Sequence, residues 1–147
     1  MLKLRRALFT LSLVGLLFAG FVTTKQLIAP SSTPGVFSCV GLSIFGLSPC
    51  PYGLGLFAGL TVLTALVLWH TETVALVWSL RAVAMVGLAF SGWVVWREVC
   101  APALARGPAY WASFSLARVP ACAWGFLVFL AIGLLTWRLQ PPPKPAS

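Results

Sequence analysis

Charge is what this chain has least of. Only 8% of its 147 residues are charged, and just two, Glu72 and Glu98, are acidic. A soluble domain carries about 25% charged residues. A chain that is 60% hydrophobic, with mean hydropathy +0.98, cannot clothe a globule in polar surface, which excludes the soluble classes and leaves an integral membrane protein. Histidine occurs once and none of the four cysteines forms a CxxC pair, which argues against a zinc or iron–sulfur site. The charged start and apolar run of the first 22 residues lack a convincing small-x-small cleavage site, and because Val14 to Val22 matches the internal segment Val86 to Val94 they read as a retained helix rather than a signal peptide. Spans of about 20 residues leave no room for an independent soluble domain. The +8 net charge raises the question of nucleic acid. Its basic residues are scattered, however, and Lys3, Arg5 and Arg6 abut an apolar run, as at the cytoplasmic face of a membrane.

What is present is a repeat. Cys50-Pro51-Tyr52-Gly53, with Phe57 beyond it, returns 72 positions later as Cys122-Ala123-Trp124-Gly125 with Phe129. The same offset lays Gly15, Phe18 and Gly20 over Gly87, Phe90 and Gly92, and residues 14–64 match 86–136 without a gap. A constant offset through two apolar segments and their connecting loop reads as a tandem duplication. The expected fold is all-α and membrane-integral, with four transmembrane helices at about 7–27, 52–69, 74–96 and 123–137. These make two two-helix repeats, about 3–74 and 75–146, related by a pseudo-two-fold along the membrane normal. His70 to Thr73 form an inner turn, and 138–147 a proline-rich tail. Val36 to Leu47 and Tyr110 to Phe114 are candidates to lie in the interface. The basic N-terminus and the even number of spans put both termini in the cytoplasm and the cysteines outside, at the cell membrane. Trp69, Trp78 and Trp137 then fall at inner helix ends, and Trp96, Trp111 and Trp124 at outer ends.

Four helices with cysteines confined to two outer loops resemble the DsbB-type and vitamin K epoxide reductase-type membrane disulfide enzymes. The local resemblance lies in Ser91 to Val99 and in Cys122-Ala123-Trp124-Gly125, where Gly stands in place of a second cysteine. What the resemblance implies is a cysteine relay: an outer pair exchanges with an extracytoplasmic thiol–disulfide partner, and electrons pass to a pair beside a membrane quinone. The catalytic candidates are Cys39, Cys50, Cys100 and Cys122. Trp124, Glu98 and Arg97 are candidates to face the cofactor. The expected pairs are Cys39–Cys50 and Cys100–Cys122, each closing a loop within one repeat, rather than a Cys50–Cys122 bridge. Two further readings stand beside the enzyme. One is an accessory or scaffold protein whose outer loops are stapled by disulfides, and the other a lipid or small-molecule carrier. Arg81, inside the third helix, is either a functional intramembrane charge or a residue that snorkels to the inner surface. Glu98 either orients a thiol or pairs with an arginine.

Overall fold

The computed structural model describes residues 2–28, 48–69, 74–107 and 121–139, and these are all helical apart from short caps, with no strand among them. Helix α1 is Leu2–Ile28, α2 Pro49–Trp69 and α3 Val74–Val95. A π turn, Trp96–Cys100, leads from α3 into α4, Ala101–Arg106, and α5 is Ala121–Trp137. Cys39, His70, both interfacial candidates and the tail from residue 140 onward lie outside the described residues.

Three helices are long and apolar enough to cross a membrane, and α5, with 17 residues, is apolar but shorter. Within the three apolar windows only 22 to 28% of the residues are buried inside the protein, so most of this surface is apolar and compatible with contact to a lipid bilayer.

Helix α3 begins at Val74 as expected, while α1, α2 and α5 begin earlier than expected. In α1 the residues Lys3, Arg5 and Arg6, read as a cytoplasmic flank, form the opening turns, because Leu, Lys and Arg are good helix formers and nothing there breaks the chain. In α2, Pro49 and Pro51 occupy the first turn, where proline's missing N–H is not needed. Cys50 and Cys122 thus each become the second residue of a helix.

The outer loop expected from Arg97 is instead helix as far as Arg106. Pro102 has no N–H to offer the Glu98 carbonyl, and the turn before it is widened: Ala101 donates to the carbonyl of Trp96, five residues back. The buried positions stay on one face across this turn. They run Val77, Leu80, Ala84, Gly87, Ser91 and Val94, then step five residues to Val99 and four to Ala103. Helix α4 ends at Gly107, whose φ of 69° and ψ of −160° suit glycine alone, and Gly107 N–H donates to Ala103.

Helices α1, α2, α3 and α5 form a ring of neighbours in that order, closed by α5 on α1, while α2 also touches α5 across the centre. Exchanging α1 with α3 and α2 with α5 leaves this scheme unchanged. On the central contact the rings of Phe57 and Phe129 stack at 4.3 Å, 19° from parallel. The Phe57 ring fills the space a Cβ would take at Gly15, and the Phe129 ring does the same at Gly87. Gly20 meets Leu54 and Gly92 meets Phe126 in the same relation. Other buried positions also recur at the 72-residue offset, among them Leu8 and Leu80, Val22 and Val94, Thr64 and Thr136. Gly15 and Gly87 here admit a phenylalanine ring rather than a second backbone, so these are ring-in-notch contacts.

One offset pair is mismatched. Ser12 is fully buried and its hydroxyl has no hydrogen-bond partner, whereas the equivalent Ala84 buries only a methyl group. A buried hydroxyl without a partner forfeits its solvation. Ser12→Ala is therefore expected to stabilise the protein by about 1 kcal/mol, read as a raised unfolding midpoint in detergent micelles; a lowered midpoint would show that the hydroxyl has a use.

At the end of the bundle opposite Cys50 and Cys122, arginines cap two helices. Arg5 on α1 donates to the Val67 carbonyl of α2 at 3.4 Å. Arg81 on α3 donates to Leu139 at 2.7 Å and to Thr136 at 3.3 Å, and its guanidinium lies 5.2 Å from the Trp78 ring and 5.3 Å from that of Trp137. The last carbonyls of a helix lack intrahelical donors and carry its negative dipole end, so a guanidinium there satisfies both. Arg81 is thus anchored on the end of α5. Val67 and Leu139 obey the 72-residue offset, but their two arginines sit one helical turn out of register with it.

Candidate functional site

At the cysteine end the four helices line an apolar cavity of about 50 Å³. Phe57 and Phe129 form its floor, Phe18 and Phe90 its flanks, and Cys50 and Cys122 line it near the ends of α2 and α5. All but one of the lining residues fall into pairs at the 72-residue offset. Along α2 the residues Cys50, Gly53 and Phe57 follow at helical spacing and so share one face, and Cys122, Gly125 and Phe129 do likewise along α5. The repeated cysteine–glycine–phenylalanine spacing is therefore the signature of the cavity wall. The aromatic that recurs beside it, Tyr52 or Trp124, stands off that face: Tyr52 packs on Phe90, with ring centroids 6.1 Å apart, and Trp124 is 39% exposed.

The cysteines differ in state. Cys50 is disulfide-bonded. Cys100 and Cys122 are both thiols, so the expected Cys100–Cys122 bridge is not formed. The reason is the π turn, which carries Cys100 onward as a continuation of α3 instead of releasing it into a loop that folds back on α5. Because Cys122 is a thiol, Cys50 is not bridged to it, as expected; Cys39, the expected partner of Cys50, lies outside the described residues.

Glu98 sits in the π turn two residues before Cys100. Its Oε1 is buried without a hydrogen-bond partner, and its charge acts on the Cys122 thiol. It makes no ion pair with Arg97, which is exposed, so the arginine-paired alternative for Glu98 does not hold with that neighbour. Of the residues picked out by sequence, the fold brings Cys50 and Cys122 to one cavity and Glu98 to the vicinity of Cys122. It leaves Arg97 apart and puts Trp124 on the outer side of the wall. The four phenylalanines were not among the sequence candidates, although Phe57 and Phe129 belong to the repeated motif. Compared with known protein families, with curated proteins and with solved structures, the chain matches none.

Proposed function

We propose that this chain is a four-span membrane protein built from two tandem helix hairpins, and that it exchanges disulfides through cysteines at one end of the bundle. The four-span reading takes α5 as the last span: 17 residues rise about 26 Å, slightly less than a typical hydrocarbon core. The duplication is supported by the neighbour scheme and by the paired Gly15–Phe57 and Gly87–Phe129 contacts. Lys3, Arg5, Arg6, Arg81 and Arg138 lie toward the end away from the cysteines, in keeping with a cytoplasmic face there and an oxidising compartment at the other.

The observation that carries the exchange reading is the shared cavity: Cys50, oxidised, and Cys122, reduced, line the same apolar space. Attack by the Cys122 thiolate on the Cys50 sulfur forms a Cys50–Cys122 bond and releases the former partner of Cys50 as a thiolate. A shift of the π turn then brings the Cys100 thiolate to Cys122, forming Cys100–Cys122 and releasing Cys50 as a thiolate. One disulfide is lost and one made, and two electrons pass from the Cys100/Cys122 dithiol to the first disulfide. Exchange with a dithiol protein outside the membrane would couple the pair to a substrate. The apolar walls of the cavity suit a quinone ring, which would have to part the Phe18 and Phe90 flanks to enter above the Phe57–Phe129 floor. A bound quinone would supply a two-electron acceptor.

Cys100→Ser removes the resolving thiol, and the Cys50–Cys122 disulfide is then expected to accumulate, visible by non-reducing peptide mapping of protein from intact membranes. If Cys50 and Cys122 never join in that variant, exchange across the cavity is refuted. The Gly that stands where a second motif cysteine would be favours the scaffold reading in that event.

A further inference from the structure

The cysteine cavity has a neighbour. A second void, lined by Val14, Gly15, Trp124 and Val128, runs between α1 and α5 and shares Phe18, Phe57 and Gly125 with the cavity. The two voids therefore share a wall. The seam between α2 and α3 occupies the corresponding place in the other half, and there Tyr52 packs against Phe90. Its counterparts under the 72-residue offset, Trp124 and Phe18, instead line the open void. The halves thus differ in how the aromatic beside the cysteine motif is used.

Chemistry limits what could enter. The walls are apolar and carry no charged side chain, and the one hydroxyl, on Ser91, already donates to the Gly87 carbonyl at 2.7 Å. Either side of the seam is a strongly exposed apolar flank, with Leu17 and Phe21 on α1 and Leu127 and Leu134 on α5. Such a flank faces lipid tails, so the outer void abuts the hydrocarbon of the bilayer.

We propose that the α1–α5 seam is a lateral portal through which one hydrocarbon chain of a bilayer molecule reaches the cysteine cavity, and that the α2–α3 seam is not. The proposal does not rest on the exchange reading, since a chain would lodge there even if the cysteines were static. Val14 and its counterpart Val86 offer a matched test, for both are exposed, at 60% and 57%, and tolerate a larger side chain without disturbing the core.

The full chain would be reconstituted in phosphatidylcholine vesicles carrying either a diazirine-labelled acyl phospholipid or a diazirine-labelled prenyl probe. Photolabel is expected on Val128 and around Cys122, lost in Val14→Trp and retained in Val86→Trp. Alkylation of Cys122 by a membrane-soluble maleimide should slow in Val14→Trp alone. The probe that labels more strongly identifies the source of the chain, an acyl lipid or a prenyl carrier. Equal loss in both variants, label shared equally by the two seams, or label confined to the outer flanks would overturn the portal, whatever the Cys100→Ser experiment finds.

Discussion

Phe129→Ala is expected to destabilise the protein by about 3–5 kcal/mol, the range for removing a buried aromatic ring. The ring is 2% exposed, stacks on Phe57 and fills the notch at Gly87, so its loss opens both contacts at once. Phe57→Ala should cost a similar amount, because Phe57 has the same two contacts in the other half. The notch gives a complementary test. A methyl group added at Gly87 or Gly15 would collide with a phenylalanine ring that has the opposing ring behind it. Gly87→Ala and Gly15→Ala should each be destabilising, by about 1–3 kcal/mol, whereas Gly55→Ala, where nothing lies within 4 Å, should be close to neutral. Unfolding midpoints of the variants in one micelle system would decide this, and an unchanged midpoint for Gly87→Ala would refute the ring-in-notch packing.

The second large effect is expected at the opposite end. Arg81→Met keeps much of the aliphatic stem but removes two hydrogen bonds to the last carbonyls of α5 and the stacking on Trp78 and Trp137. A hydrogen bond from a charged group is worth about 1.5–3 kcal/mol, and one is near ideal length here, so a loss of about 2–3 kcal/mol is expected. Arg81→Lys should recover only part, since an ammonium lacks the planar fork that reaches two carbonyls while lying against two indoles. Hydrogen exchange localises the effect: faster exchange should begin in the last turns of α5 and leave α2 unchanged. Uniform acceleration through the bundle would instead make Arg81 a general core residue.

Much of the helical content was legible because apolar runs of about 20 residues have few other uses. Their limits were less so. Lys3, Pro49 and Pro51 looked like boundaries, yet charged residues and first-turn prolines are readily built into a helix start. The π turn has no compositional mark; its Arg97 and Glu98, with Pro102 just after it, resemble the opening of a loop, and that misreading put Cys100 in a loop paired with Cys122. The cavity was half legible. The repeated Cys50-to-Phe57 and Cys122-to-Phe129 spacing marked the right faces, but a spacing along one helix does not say what lies opposite. Phe18 and Phe90 join the wall only through packing between helices. For the same reason the role of Arg81 was hidden: its partners are carbonyls at the end of α5, far along the chain.

The widened turn at Trp96–Cys100 also makes this a place where the chain can change length. Elsewhere in α3, losing one residue would rotate everything downstream by about 100° about the helix axis and turn inward side chains to the outside. Here the step from Val94 to Val99 holds five residues for one turn, so a chain one residue shorter closes an ordinary α-turn and still brings Val99 and Ala103 back to the inner face. Deletion of Arg97 or of Glu98 would thus remove one side chain from the turn without shifting the phase of the helix beyond it.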